Sequence, residues 1–314
     1  MKLAIKIMVT AMLLWLVLRT VDVGAVRILL SRLSLWWALL ALILTALIIL
    51  CDAMLFAGVM RILARPIPLR VAMLYSLVGW FFSNIAPSTV GGDVFRGAQL
   101  TRLGMGVGSA VRLILAMRVI SLAALVLVMG AGLPIALGLV RNDRDAALLG
   151  LTLAAASGTV GIVFVLAHIP VDIRARLRFP LLRKLNAVAD DFRKLVPSSS
   201  HAVATWISAL AQHLVRIGVL AALAAGLGLA IPLETIIAFT PAALLVAMVP
   251  VSVGGWGVRE VAFVYFLGAA GVPAESAVSL SIAFGFLRVV VGVIGGIAWV
   301  VAGKDDYRFD ASSA

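Results

Sequence analysis

Long apolar runs alternate with short polar segments along almost the whole chain. Six runs are long enough to cross a hydrocarbon core of about 30 Å as helices, which takes about 20 residues. They cover residues 4–20, 36–60, 107–140, 146–168, 203–229 and 274–302. The segment 25–35, followed by Trp36 and Trp37, is typical of an interfacial helix beside an aromatic belt. The pattern predicts an all-α polytopic membrane protein with about six full spans.

Two further apolar segments are too short to span. Residues 69–86 and 235–249 each end at a Pro and Gly-Gly break, and each break precedes a short predicted helix, at 93–103 and 257–270. Non-helical backbone at membrane depth is tolerated only inside protein or beside a water-filled cavity. The two broken segments therefore predict re-entrant hairpins.

Both breaks carry the same phrase with the same spacing. Residues 87–96 and 250–259 both read Pro-x-(Ser/Thr)-Val-Gly-Gly-x-x-x-Arg. Each phrase also follows two spans and precedes a long one. This repeated order indicates an internal duplication, with one repeat at 1–145, a second at 146–303, and a polar tail at 304–314.

The charges of the loops predict the orientation. The basic loop 170–200 is expected in the cytoplasm, since cytoplasmic loops carry an excess of Lys and Arg. Counting spans from this loop places both termini in the cytoplasm and gives each half three crossings. Because three is an odd number, the two repeats are predicted to be inverted, and the two hairpins to enter the membrane from opposite faces. Inverted repeats with broken helices at their interface are typical of transporters with a site near the midplane.

The composition agrees with a membrane protein and excludes several functions. The chain is 63% hydrophobic and 13% charged, against about 25% charged residues in soluble domains. Its net charge of +12 fits positive-inside loops and attraction to anionic lipid; no basic-aromatic module indicates nucleic-acid binding. One Cys and three scattered His predict neither disulfide nor metal site. The N-terminus imitates a signal peptide, but Arg19 and Asp22 next to the cleavage-like site favour a retained span.

The repeated phrase is suited to bind an anion. Glycines allow a ligand to approach the backbone, and a helix that begins after them points free N–H groups and its positive dipole end at the break. Arg96 and Arg259, about one turn into these helices, are positioned to clamp the same anion. The predicted phosphate or lipid headgroup site comprises Gly91, Gly92, Arg96, Gly254, Gly255 and Arg259. The alternative is that each break only turns the chain, with its Arg satisfying stray carbonyls.

Further charges lie inside the predicted spans. Arg118 and Arg288 follow the two phrases in otherwise apolar sequence, and intramembrane Arg usually marks a pathway. Alternatively, they pair with an acid or extend to the interface.

The acids have more than one interpretation. Asp52 is expected to pair with Arg216 in the matching span, either structurally or for ion coupling. Glu260 is a counter-charge for Arg259 or a coupling carboxylate, and Asp93 is a candidate N-cap.

The sequence contains no recognisable catalytic motif. It has neither a Ser-His-Asp set nor a Gly-rich nucleotide loop of the Lys-containing type. We therefore expect no enzymatic activity and no cofactor.

Residues 84–96 and 250–260, with an Arg ending each segment that begins Ser-Ala-Val (Arg118 and Arg288), resemble the transmembrane region of lysylphosphatidylglycerol synthases. The resemblance covers nearly the whole chain. It implies a bacterial inner-membrane protein that moves lipids between leaflets. Full synthases carry a soluble aminoacyl-transfer domain after this region, and the chain ends at Ala314, so lipid aminoacylation is not expected.

The sequence is compatible with three functions. The first is a flippase for an anionic phospholipid or a lipid-linked intermediate. The second is a non-catalytic scaffold for a lipid- or glycan-modifying membrane enzyme, docking through loop 170–200. The third is a lipid-dependent transferase with Asp93 or Glu260 as its base. A homo-oligomer is compatible with all three.

Overall fold

The computed structural model describes residues 2–85, 90–140, 142–168, 190–249, 251–302 and 307. All regular secondary structure in these residues is helical. They form α1 (Lys2–Thr20), α2 (Val23–Ser31), α3 (Leu35–Leu63), α4 (Leu69–Ile85), α5 (Gly91–Arg102), α6 (Val107–Leu139), α7 (Asp143–His168), α8 (Ser200–Gly226), α9 (Leu233–Ala247), α10 (Val258–Ala269) and α11 (Ala274–Val301). Residues 170–189 of the basic loop and most of the predicted polar tail lie outside the described residues.

Five of the described helices are long and apolar enough to cross a membrane: α3, α6, α7, α8 and α11. The first predicted span does not continue as one straight helix, because α1 and α2 meet at a bend of 92°. Asp22 causes a new helix to begin there, since its carboxylate accepts the N–H groups of Gly24 at 2.7 Å and Ala25 at 3.2 Å. The number of spans is thus five, or six when the bent pair counts as one.

The two predicted hairpins appear as pairs of short helices, α4 with α5 and α9 with α10. The two phrases differ in backbone conformation, although their spacing is identical. In the first copy α5 begins at Gly91, with Val90 as its N-cap, so the prediction of Asp93 as N-cap is wrong. In the second copy Gly254, Gly255 and Gly257 all have positive φ, and α10 begins only at Val258. Residues 86–89 and 250 lie outside the described residues.

The helices of the two predicted halves pack on each other reciprocally. Among the described helices, the most extensive pair is α3 with α8, the second predicted span of each half. The short helix α4 of the first half packs on α11 of the second, and α9 of the second half packs on α6 of the first. This exchange brings both broken segments to the interface between the halves.

Gly92 is required where α5 returns along α4. A β-carbon at Gly92 would lie 2.5 Å from the carbonyl oxygen of Gly79 and 2.7 Å from Oγ of Ser83. The Gly92 N–H donates to that same Oγ at 3.1 Å. The absence of a side chain therefore sets the distance between the two helices.

We expect Gly92→Ala to lower the free energy of unfolding by about 1–3 kcal/mol, because the methyl group would force backbone apart. Thermal unfolding of the purified protein in detergent measures this. Gly130→Ala in α6 is the matched control, since nothing lies within 4 Å of a β-carbon there. Equal loss in the two variants would contradict the close-approach explanation.

Candidate functional site

A cavity of about 240 Å³ lies between the helices of the two halves. Eight helices line it: α3, α4, α5, α6, α8, α9, α10 and α11. Its charged lining residues are Asp52, Asp93, Arg96, Arg118, Arg216, Arg259 and Arg288. The structure thus collects five arginines that are far apart in sequence. The wall between them is mostly apolar and includes Leu55, Met117, Leu125 and Phe284.

Arg96 is held by acids of the first half. Its guanidinium pairs with Asp52 on α3, donates to Oγ of Ser76 at 3.1 Å, and lies 4.0 Å from the carboxylate of Asp93. The sequence predicted Arg216 as the partner of Asp52; among the described residues the ion pair of Asp52 is with Arg96, while Arg216 lines the same cavity. Arg96 is only 7% exposed, and its Nε is buried without a hydrogen-bond partner in the described part of the chain.

Arg118 pairs with an acid just after the first break. Asp93, in the first turn of α5, forms an ion pair with Arg118 on α6. About a third of the Arg118 side chain is exposed, and Arg118 lines the cavity. Asp93 therefore connects α5 to α6.

Arg259 has a counter-charge beside it in sequence, as one of the two interpretations of Glu260 expected. The Glu260 carboxylate accepts from Nη2 of Arg259 at 2.6 Å and from Nε at 3.1 Å. Ser281 bonds to both partners at 3.0 Å, and the Arg259 guanidinium lies 4.5 Å from the ring centroid of Trp256. Arg259 and Glu260 are at most 2% exposed. Only Arg259 of this pair lines the cavity.

The glycines of the phrases contribute less directly than expected. Gly92 lines the cavity, but its N–H is taken by Ser83. At the second break the Gly257 N–H donates to Glu260 at 2.6 Å, so the protein's own carboxylate caps the start of α10. Gly91, Gly254 and Gly255 are not lining residues. The cationic groups that line the cavity are therefore guanidiniums, not a cradle of backbone amides.

Arg216 and Arg288 differ from the other three arginines. Neither forms an ion pair with a carboxylate among the described residues. Arg216 donates to Nδ1 of His213 at 2.9 Å, and Arg288 lies 5.8 Å from the ring centroid of Trp80. Both side chains are partly exposed and line the cavity.

Sequence reasoning missed the neutral part of the site. Trp80 and Ser83 on α4 and Ser121 on α6 line the cavity beside the arginines. They lie in apolar sequence without a motif, so only the helix packing identifies them.

The charges of this cavity favour an anionic ligand. Its lining has five guanidiniums against two carboxylates, with Glu260 behind Arg259 as a third acid. Buried charges without partners are costly, and the effective penalty is several kcal/mol per ion. Guanidiniums match phosphate and carboxylate oxygens bidentately, so a phosphate group would relieve this excess.

Comparison with known proteins identifies the family. The family model for the lysylphosphatidylglycerol synthase TM region matches residues 3–296. No curated protein matches the chain. The match covers nearly the whole sequence, so the chain belongs to this family and is an integral membrane protein, as the resemblance of its motifs implied.

Proposed function

We propose that this member of the lysylphosphatidylglycerol synthase TM-region family is a lipid flippase without enzymatic activity. It moves an anionic phospholipid or an anionic lipid-linked intermediate between the leaflets of the bacterial inner membrane. The observation that supports this most is the convergence of five arginines from both halves on one cavity among membrane helices. Arginine in a membrane span is expensive and usually faces a substrate pathway.

The cavity is suited to a headgroup rather than to a whole lipid. Its lining holds five guanidiniums against two carboxylates and is otherwise mostly apolar, so the phosphate would be held by guanidiniums while the acyl chains stay in the bilayer.

We infer alternating access from the arrangement of the halves. We infer that the repeats are inverted, with both termini in the cytoplasm. The reciprocal packing of α4 on α11 and of α9 on α6 supports a two-fold relation between the halves. Rocking of one half against the other would then expose the same arginines to each leaflet in turn.

The proposal is tested by flipping assays in proteoliposomes. We expect Arg118→Gln to slow the flipping of a fluorescent anionic lipid about tenfold, because a charge-assisted hydrogen bond is worth about 1.5–3 kcal/mol. The rate of dithionite quenching of the outer-leaflet label measures flipping. Arg112→Gln is the matched control, since Arg112 lies on the same helix and pairs with Asp191 at 3.3 Å but does not line the cavity.

Flipping by the wild type no faster than in protein-free liposomes would overturn the proposal. Equal rates for Arg118→Gln and the wild type would remove Arg118 from the pathway.

A further inference from the structure

We propose that the ligand presents a phosphate with at least two negative charges, as a phosphomonoester or a diphosphate does, and that Arg216 and Arg288 select it over a phosphodiester. This rests on the proposed function and specifies the substrate class of the same cavity. The selection depends on which charges at the cavity are already compensated.

Three of the five guanidiniums have an acid in contact. Arg96 pairs with Asp52, Arg118 with Asp93, and Arg259 with Glu260. Each contact joins one positive and one negative charge, so these three arginines bring no excess charge. Among the described residues, the charge left for a ligand to compensate is therefore that of Arg216 and Arg288.

His213 adds no charge to that of Arg216. Its Nδ1 accepts a hydrogen bond from Arg216 at 2.9 Å, and its Nε2 lies 2.9 Å from the carbonyl oxygen of Ser121, to which it must donate. One ring nitrogen accepts and the other donates, which is the pattern of a neutral imidazole. His213 thus orients Arg216 without neutralising it.

Arg288 is the second lining arginine without a carboxylate partner in the described part of the chain. Its side chain contacts the face of Trp80, while its backbone carbonyl accepts from Asn84 at 3.0 Å. Arg288 lines the same cavity as Arg216. Two arginines without an acid partner that line one cavity form a site for one ligand that binds both.

The same contacts argue against a headgroup that carries an amine. Asp52 and Asp93 are the carboxylates that line the cavity, and both are engaged by arginines. An ammonium group would meet arginines rather than a free acid. A phosphodiester would leave one guanidinium uncompensated, whereas a dianionic phosphate neutralises both.

The test compares headgroups in one assay. Proteoliposomes of phosphatidylcholine carry acyl-labelled phosphatidic acid or phosphatidylglycerol at about pH 8, where a phosphomonoester carries close to two charges. We expect phosphatidic acid to flip about tenfold faster, which corresponds to ~1.4 kcal/mol. The Arg288→Gln variant has one excess positive charge fewer. The ratio of the flipping rate of phosphatidic acid to that of phosphatidylglycerol should therefore fall toward one. Arg112→Gln should keep the wild-type ratio.

A parallel arm measures uptake of radiolabelled inorganic phosphate into the same vesicles. Equal wild-type flipping of both lipids overturns this inference while the proposed flippase function stands. Phosphate uptake without lipid flipping overturns the flippase and keeps the preference for a dianion. Activity toward neither lipid nor phosphate overturns both. An unchanged ratio in Arg288→Gln removes Arg288 from selection.

Discussion

Replacing Glu260 by Gln is expected to lower the free energy of unfolding by about 3–5 kcal/mol, the typical cost of removing one partner of a buried ion pair. Glu260 is 1% exposed and accepts from Arg259, from Ser281 and from the Gly257 N–H. An amide leaves the Arg259 charge uncompensated and can accept through only one of its two terminal atoms. Because total stabilities are about 5–15 kcal/mol, this is a large fraction.

Thermal unfolding in detergent and the yield of monodisperse protein measure the loss. Glu234→Gln is the matched control, because Glu234 lies exposed in the first turn of α9. The double variant Arg259→Gln with Glu260→Gln should regain part of the loss, since both charges are then gone. If Glu260→Gln unfolds at the temperature of Glu234→Gln, the ion pair does not stabilise the second break.

Structural features that depend on neighbouring residues alone could be predicted from the sequence. The lengths of the apolar runs predicted α3, α6, α7, α8 and α11, because a membrane span needs a nearly continuous apolar helix. Pro and Gly-Gly predicted both interruptions, and adjacency in the chain suggested the Arg259–Glu260 pair. The single polar residue Asp22 also explains the bend after α1, although its role as an N-cap is visible only in the structure.

The partners of the other charges depend on packing between distant helices. Asp52 could meet Arg96 or Arg216 as far as the sequence shows, and the return of α5 along α4, permitted by Gly92, decides for Arg96. The two Gly-Gly pairs have equal spacing but different backbones, one helical and one with positive φ. Glycine allows both conformations, so its presence alone could not distinguish them. Whether the repeats are inverted stays a prediction.

Replacing Arg288 by Gln is expected to slow the flipping of a dianionic lipid without loss of stability, and the same holds for Arg216→Gln. Each guanidinium is without an acid in the described structure, so the folded state without ligand holds an uncompensated charge whose removal should leave the unfolding temperature equal or raise it. Flipping of a dianionic lipid should fall at least about tenfold, because the ligand loses one charge-assisted contact and its charge match. Thermal unfolding and the dithionite assay on the same protein preparations measure both effects.

Arg96→Gln is the contrasting variant for this prediction. It leaves Asp52 without its counter-charge and Ser76 without its donor, so flipping and unfolding temperature should fall together. An arginine that serves only to bind a ligand stabilises the folded protein only when the ligand is bound. An arginine that neutralises a carboxylate of the protein stabilises the folded state with or without ligand. If Arg288→Gln lowers the unfolding temperature as much as Arg96→Gln does, Arg288 is structural. Added phosphatidic acid should then raise the unfolding temperature of wild type and Arg288→Gln equally, whereas a ligand-binding Arg288 predicts a larger rise in the wild type.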